Sequence, residues 1–474
     1  MNEPEPNPTE QWIEQGRALR KTVRRSAHHA LGHLDRDPVA LLQSTDKGRV
    51  ERLVPLKYGR MLASPFAFFR GSAILQAHDL KHTPNTGLWH PICGDAHLMN
   101  FGGYGTPERQ LAFDLNDFDE AYPGPWEWDL KRLVASLNLA ARNLGLSTAQ
   151  GDDAVSAAVA GYQERITTLS QMDALSQWHY QITLESMFQA STDPAARVQL
   201  TKAMNKAQRR SHEQLLPKMG AKVEGRWTMH DAPPALFHIH GTNTLFSAED
   251  DWMRLGHWKD LSDHLYKGYL TNLKPEIRAL LSRFRMQDLA FKVVGVGSVG
   301  TRCLVLLLTD AVDAPMMLQF KQANASVLAR YSPAKPPPVK HQGERVAIGQ
   351  RLMQAASDRF LGVTTGPFGR HFYVRQLRDM KVSAEVDTFD ANLLARYGDL
   401  CGKVLARAHA KSGGCATQVS AYLGTSDTFA QALVAYANGY ADQVEKDYAF
   451  FRDACRSGRV NAQTEADFAA DFSA

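Results

Sequence analysis

The sequence WHPICGDAHLMNFGGYG, at residues 89–105, brings Asp95, His97 and Asn100 within six positions, with glycines on both sides. Glycine allows tight turns and a close approach of the backbone to a ligand. Loops on a rigid scaffold carry a large share of binding and catalytic residues. The stretch therefore predicts a loop that holds a ligand rather than a plain connection between two core elements.

A cluster of acidic residues follows this loop after a short turn. LAFDLNDFDE, at residues 111–120, reads as a strand that ends in Asp114, Asp117 and Asp119. Carboxylates this close repel one another unless a cation lies between them or each is hydrogen-bonded separately. Together with Asn100 they offer the hard oxygen ligands that Mg²⁺ prefers when it also carries phosphate. The alternative is that these acids only cap turns and helices.

The composition limits the class of protein. A chain of 474 residues is long enough for two or three domains or lobes. A net charge of +4 is too small to indicate a nucleic-acid partner. Five scattered cysteines without metal-site spacing favour a reducing cytoplasm. The N-terminus shows no secretory pattern, and apolar runs such as 304–308 are too short to span a bilayer. We expect a cytoplasmic protein without a membrane or nucleic-acid partner, and the oligomeric state stays open.

A second glycine-rich stretch lies two hundred residues later. VVGVGSVGTRCLVLLL, at residues 293–308, contains the spacing G-x-G-x-x-G. A dinucleotide-binding fold needs a helix directly after these glycines, whereas TRCLVLLL predicts a strand. We therefore expect a glycine-rich hairpin whose backbone N–H groups approach phosphate, although a plain tight turn is the alternative. The residues expected at the phosphates are Gly295, Gly297, Ser298 and Gly300.

The first motif resembles the catalytic segment of aminoglycoside phosphotransferases and choline kinases, which are relatives of the protein kinases. The shared pattern is Gly-Asp-x-His-x-x-x-Asn, a turn, and a strand that ends in Asp-Phe-Asp. Cys93 stands where that family has its first histidine, and Asp129 follows Asp117 at the family's spacing of twelve. The resemblance implies catalytic roles for Asp95 and His97 and magnesium ligands at Asn100 and Asp117, with Asp119 or Asp114 as outer ligands.

The same resemblance implies a nucleotide clamp in the second half of the chain. Lys321, in the strand MLQFKQA, would bind the α- and β-phosphates of ATP. Glu344 is the first acid on the next helix and would pair with that lysine. The strand FYVRQLRD would act as the hinge that contacts adenine through the backbone of Gln376 and Leu377.

The parts occur in rotated order, because the glycine loop, lysine and hinge follow the catalytic loop. Together they predict an α+β, two-lobed protein-kinase-like fold that is circularly permuted, with a mostly helical large lobe and a small antiparallel β lobe carrying the glycine-rich hairpin. The motifs also resemble the bacterial family known as domain of unknown function 2252, from about residue 50 to 450. The expected divisions are an N-terminal helical extension (1–50), a helical lobe with the catalytic and metal loops (51–285), a β-rich nucleotide-binding lobe (286–380) and helices returning to the large lobe (381–474).

The function expected from these features is an ATP- and Mg²⁺-dependent transfer of phosphate to a hydroxyl acceptor, which is a small molecule or a protein. Arg60 and Arg70 are candidates for binding the acceptor, or else for bracing the lobe. One alternative is AMP transfer from a reversed ATP, and another is a non-catalytic nucleotide-binding protein that acts through a partner. A metal hydrolase built on His238, His240 and the acids near residue 117 ranks last.

Overall fold

A computed structural model describes residues 8–191, 194–208, 216, 220–239, 258–377 and 382–473. Within this part of the chain the predicted α+β class is confirmed, because helices predominate and all paired strands are antiparallel. None of the described helices is long and apolar enough to cross a membrane.

The helices account for most of the fold. Sequence signals explain several of their starts: Ser147 and Gln150 form a capping box at one, and Asp390 caps another through Leu393 N. In the described residues the α-helices are α1 (Pro8–Thr22), α2 (Pro38–Gln43), α3 (Val54–Met61), α4 (Pro65–Gly71), α5 (Ala73–Leu80), α6 (Trp126–Asn143), α7 (Thr148–Ser170), α8 (Ala174–His179), α9 (Leu184–Ala190), α10 (Pro194–Gln208), α11 (Trp258–Thr271), α12 (Pro275–Leu281), α13 (Gln342–Met353), α14 (Ala391–Gly413), α15 (Ala416–Leu423), α16 (Thr428–Arg456) and α17 (Glu465–Ser473).

The strands form one larger sheet and three small ones. In the described residues they are β1 (Trp89–Ile92), β2 (Phe101–Gly105), β3 (Leu111–Leu115), β4 (Tyr122–Pro125), β5 (Gly220–Val223), β6 (Arg226–Met229), β7 (Leu236–Phe237), β8 (Arg285–Lys292), β9 (Cys303–Thr309), β10 (Pro315–Gln322), β11 (Gly362–Thr365), β12 (His371–Gln376) and β13 (Val382–Ser383).

The larger sheet has the strand order β11-β12-β10-β9-β8-β7. β8 and β9 pair antiparallel, with Phe291 opposite Leu304, and residues 293–302 connect them. One apolar face of this sheet packs on α11, where Leu265 and Tyr269 share a buried cluster with Phe320. The connection at 293–302 and Lys321, on β10, are therefore carried by neighbouring strands of the same sheet.

The helical core is centred on α6, whose residues are almost all buried. Trp126, at the start of α6, stacks on Tyr162 of α7 with ring centroids 5.6 Å apart. α14 crosses α7 closely because Gly402 has no side chain: a Cβ there would lie 2.0 Å from Ala158 O. This packing fixes the start of α6, which carries residues that position the site.

Two short sheets flank the polar loops found in the sequence. β1 pairs with β4, and β2 pairs with β3. The loop at 93–100 runs from β1 to β2, and the loop at 116–121 runs from β3 to β4. Asn116 N donates to Asn100 O at 2.8 Å, which ties the two loops together.

Candidate active site

A cleft of about 500 Å³ brings together residues from distant parts of the sequence. Ser298 Oγ lies 3.5 Å from Asp119 Oδ2, although the two residues are 179 positions apart. The fold thus joins the two motifs that the sequence presents separately. The predicted site residues that line the cleft are Asp95, His97, Asn100, Asp117, Asp119, Gly295, Gly297 and Ser298.

The loop that carries Asp95 is held by the first turn of α6. The Asp129 carboxylate accepts hydrogen bonds from Cys93 N at 2.7 Å and Gly94 N at 2.8 Å. Gly94 has a φ of +79°, and a Cβ there would lie 2.4 Å from Glu120 O, so the turn requires glycine. The position of Asp95 therefore depends on Asp129, which binds the two residues directly before it.

Asp95 has an arginine partner within the protein. Arg132 Nε donates to Asp95 Oδ1 at 2.8 Å, and the Arg132 guanidinium lies over the Phe69 ring at 3.7 Å. His97 Nε2 is 3.9 Å from Asp95 Oδ2. Burial lowers the pKa of His97 to about 4, so this ring is neutral near pH 7. Arg132, rather than His97, supplies the positive charge that balances Asp95.

Asn100 is oriented by the loop that it terminates. Its Nδ2 donates to Asp95 O at 2.7 Å, and its backbone N donates to His97 O at 2.8 Å. Because the amide nitrogen is used in this way, Oδ1 is the end of the side chain left to bind a ligand. Asp117 lines the same cleft, and its Oδ1 accepts from Asp119 N at 3.2 Å. Both side chains therefore offer oxygen donors to one cleft.

Lys321 joins the large sheet to the acidic loop. Its ammonium forms an ion pair with Asp119 and lies 3.6 Å from Asp117 Oδ2. Burial alone would lower the pKa of Lys321, but the two carboxylates outweigh it and raise that pKa well above its ordinary value. Tyr373, on β12, donates to Asp119 Oδ1 at 2.7 Å. Asp119 is therefore held by both Lys321 and Tyr373.

The expected pair between Lys321 and Glu344 is not formed. Glu344 is exposed in the first turn of α13, and the next residue, Arg345, is buried instead. Arg345 donates to Ala121 O at 2.6 Å and to Asp119 O at 2.8 Å. Successive residues on an α-helix differ by about 100° in direction, so the helix presents the arginine, not the acid, to the site.

Asp114 does not belong to the cleft. Its buried carboxylate pairs with Arg407 at 2.5 Å and accepts from Leu115 N and Ala355 N at 2.8 and 2.7 Å. These partners use both carboxylate oxygens. The contacts of Asp114 are therefore structural ones between β3, α14 and residue 355, and the residue does not line the cleft.

The expected hinge contacts are also absent from the cleft. Gln376 N donates to Asp358 Oδ2 at 2.6 Å, and Leu377 N donates to Met317 O at 2.8 Å. Neither N–H group is left for adenine, because the first donates to the Asp358 side chain and the second donates to the backbone of Met317. The structure therefore places neither Gln376 nor Leu377 in the lining of the cleft.

Two other predicted residues, Gly300 and Arg60, lie outside the lining of the cleft. Gly300, with a φ of +87°, accepts from Val50 N at 2.8 Å and does not line the cleft. Arg60 donates to Gly295 O at 2.6 Å and pairs with Glu465 at 2.8 Å. Of the two alternatives for Arg60, the structure favours bracing. Arg70, by contrast, lines the cleft.

The histidine-based metal site finds no support. His238 lies 3.0 Å from Asp288 and 2.9 Å from Asp231. The hydrogen bond to Asp288 is the main cause that raises the pKa of His238 to about 9, so its ring is protonated and a poor metal ligand. His240 lies outside the described residues. Over the ranges that the structure describes, no three His, Cys, Asp or Glu side chains are grouped to hold a metal ion.

Several residues of the site were not predicted from the sequence. They include Arg132, Arg345 and Tyr373, each of which contacts an acid or the backbone of the acidic loop. A signal existed for Arg132, because it follows Asp129 by three positions and so shares its helix face. Nothing in the local sequence marks Tyr373, whose role depends on the pairing of β10 with β12.

Comparison with known proteins gives one match. A family model described as "Uncharacterized protein conserved in bacteria (DUF2252)" matches residues 49–454. Neither the curated proteins nor the solved structures include a match to the chain.

Proposed function

Since the chain belongs to this bacterial family, DUF2252, whose description gives no activity, we propose from the site alone that it is an ATP- and Mg²⁺-dependent phosphotransferase with a hydroxyl acceptor. The observation that carries the proposal is the shared cleft. Asp95, Asn100 and Asp117 line it together with Gly295, Gly297 and Ser298 of the connection between β8 and β9.

The order of elements in the larger sheet supports a kinase-like nucleotide clamp. In protein kinases a glycine-rich loop covers the phosphates, and the phosphate-binding lysine lies on the third strand. Here β8 and β9 flank residues 293–302, the next strand β10 carries Lys321, and the helix α13 follows. The catalytic and acidic loops precede these parts in the sequence, so a circular permutation of a kinase-like fold is part of the proposal.

The proposed reaction is a direct transfer of the γ-phosphoryl group of ATP, with Asp95 as the general base. The acceptor oxygen attacks the γ-phosphorus, the bond from that phosphorus to the β,γ-bridging oxygen breaks, and ADP leaves. Asp95 takes the proton of the acceptor hydroxyl. Arg132 Nε holds the Asp95 carboxylate in place through a hydrogen bond to Oδ1 at 2.8 Å. Phosphoryl transfer asks the protein mainly for alignment and charge neutralisation.

The donor set fits Mg²⁺. Mg²⁺ is commonly held by one or two carboxylates together with substrate phosphates, and the amide oxygen of Asn100 and the Asp117 carboxylate suit that role. Bound there, the ion would neutralise charge on the phosphates. Lys321 is not among the residues that line the cleft, but its ion pair with Asp119, which does line it, would bring a second positive charge near the same phosphates.

The observed contacts of Gln376, Leu377 and Glu344 limit which parts of a kinase-like site can be proposed. With both hinge N–H groups in use, recognition of adenine by Gln376 and Leu377 is left out, and Glu344 has no role. AMP transfer from a reversed ATP is the second candidate. The observation that favours it is a set of basic residues in the same cleft, Lys47, Arg49 and Arg70, which suits a terminal phosphate.

Calorimetry tests the proposal directly. We expect ATP to bind the wild-type protein only with Mg²⁺ present, and the Asp117→Asn variant to lose that dependence. Asp313→Asn is the control, because Asp313 is an exposed acid outside the cleft and its loss should not disturb the fold. If ATP does not bind the wild type, or if both variants behave alike, the proposed nucleotide site is wrong.

A further inference from the structure

The cleft contains a second set of charges, which the proposed transfer does not use. Its acidic residues all come from 95–120, whereas its basic residues come from three other segments. The basic set consists of Lys47, Arg49, Arg70 and Arg330. A site for Mg²⁺ and ATP accounts for the acids, but it leaves these cations without an assigned ligand.

The acids in the cleft are largely balanced from within the protein. Arg132 pairs with Asp95, and Lys321 pairs with Asp119. Glu120 Oε2 accepts a hydrogen bond from Val327 N at 2.7 Å, and the positive charge of Arg345 stabilises the Glu120 carboxylate. The basic set is therefore not needed to neutralise them.

Two of the basic residues bind mainly neutral groups. Arg49 donates to Val299 O at 2.5 Å and Thr45 O at 2.9 Å, and its nearest carboxylate is Asp46 at 3.9 Å. That carboxylate is shared with Lys57, at 2.8 Å. Arg330 donates to Ser44 Oγ at 3.0 Å. In the described residues, neither Arg49 nor Arg330 forms an ion pair with a carboxylate that lines the cleft.

Arg70 is the most informative member. Its Nε is buried and has no hydrogen-bond partner, and nowhere in the described ranges does a group accept a hydrogen bond from its guanidinium. Its closest aromatic contact is the Phe66 ring, at 5.8 Å. Burying a charged group without hydrogen bonds is costly, and the planar guanidinium matches a carboxylate or phosphate through two parallel bonds. Arg70 therefore has the properties of an anion-binding residue.

The place of Arg70 in the cleft indicates which anion it would meet. Its charge interacts with Asp95 and with His97. Its backbone borders the glycine loop, since a Cβ added at Gly297 would lie 3.5 Å from Arg70 O. Arg70 thus lies between the connection from β8 to β9 and the Asp95 carboxylate. An acceptor has to approach Asp95 from this part of the cleft.

We propose that Arg70 binds an anionic group of the acceptor, which is therefore a small molecule that carries a carboxylate or phosphate besides its reactive hydroxyl. This inference rests on the proposed phosphotransferase function. The cleft volume of about 500 Å³ falls in the range of small-molecule sites, about 300–1,000 Å³. The same arginine would suit the terminal phosphate of a reversed ATP, so the test has to separate the two sources.

The test uses labelled inorganic phosphate as the probe, in equilibrium dialysis at constant ionic strength. The full-length protein is first saturated with Mg²⁺ and β,γ-methylene ATP, a non-hydrolysable analogue that fills the donor site. We expect phosphate to bind this complex and the Arg70→Gln variant to bind it at least about tenfold more weakly, as the loss of a charge-assisted hydrogen bond predicts. The nucleotide analogue should bind wild type and variant equally.

The matched control is Arg165→Gln. Arg165 has a buried, unpartnered Nε and lies 5.2 Å from the Tyr180 ring, but it is outside the cleft. Phosphate affinity should not change in this variant. If the analogue displaces phosphate, Arg70 serves the donor and the acceptor proposal is overturned; equal phosphate binding in all three proteins, or none in any, overturns it as well. If the analogue itself fails to bind, the proposed function fails, and the inference fails with it.

Discussion

Asn100 Nδ2 donates a hydrogen bond to the carbonyl oxygen of Asp95 at 2.7 Å. The proposed magnesium ligand and the proposed catalytic carboxylate are thereby parts of one rigid turn. The Asp129 carboxylate fixes the other end of that turn through Cys93 N and Gly94 N. A disturbance at Asn100 should therefore affect catalysis as well as metal binding.

Variants of Asn100 separate these two effects. Asn100→Asp keeps an oxygen ligand but cannot donate to Asp95 O, so we expect Mg²⁺-dependent ATP binding to stay within about tenfold of wild type. Turnover should fall by about 100-fold, because a small displacement of a catalytic group has that effect. Asn100→Ala should lose both. Calorimetry and turnover assays measure the two quantities, and wild-type turnover in Asn100→Asp would show that the hydrogen bond does not position Asp95.

Variants of Lys321 and Glu344 test whether these two residues act as the ion pair that the resemblance implied. Lys321→Met should weaken ATP binding by about 10- to 100-fold, since hydrogen bonds to charged groups contribute about 1.5–3 kcal/mol. Glu344→Gln should leave ATP affinity unchanged, because Glu344 is exposed and Lys321 pairs with Asp117 and Asp119. Comparable losses in the two variants, measured by calorimetry, would restore the pair that the resemblance implied.

Asp114 should matter for stability rather than for metal binding. Asp114→Asn leaves Arg407 buried without its carboxylate partner, and breaking a buried pair costs about 3–5 kcal/mol. Denaturant unfolding measures this loss, while the Mg²⁺ dependence of ATP binding should be retained. Asp313→Asn, which breaks the exposed pair with Lys222, is the control and should not change unfolding. Loss of Mg²⁺ dependence with unchanged stability would return Asp114 to the metal site.

His28 should make stability depend on pH. Burial, assisted by the charge of Lys131, lowers the pKa of His28 to about 3 in the folded chain, against about 6.5 when unfolded. Between these values the unfolded chain binds the extra proton, so stability decreases as pH falls from 6.5 towards 3. One pKa unit corresponds to about 1.4 kcal/mol, so the loss between pH 6.5 and 5 is about 2 kcal/mol.

The variant His28→Phe isolates this contribution. It should be less stable than wild type at pH 7, because it loses the 2.7 Å hydrogen bond from the ring Nε2 to Tyr422 OH. Its free energy of unfolding should nevertheless decrease less than that of wild type between pH 6.5 and 5. Parallel pH profiles for the two proteins would mean that His28 is protonated in the folded chain.

The local parts of the site were predictable from the sequence. Asp95, Asn100 and Asp117 lie in short loops next to strands, and glycine spacing marked residues 295–298. Side-chain direction was harder to predict, as Glu344 and Arg345 show. One is exposed and the other is buried, and the sequence pattern gave no reason to prefer the arginine. The use of both hinge N–H groups depends on Asp358 and Met317, which only the folded chain brings near.

The most direct measurement of the central claim is the product formed from ATP. Purified wild-type protein and its Asp95→Asn variant are incubated with Mg²⁺ and ATP, and the nucleotides are separated by chromatography. We predict slow formation of ADP by the wild type, with water as the acceptor, and none by the variant, although the variant still binds ATP. Release of pyrophosphate would instead indicate AMP transfer, and ATP binding without turnover in the wild type would contradict the phosphotransferase and favour a nucleotide-binding regulator.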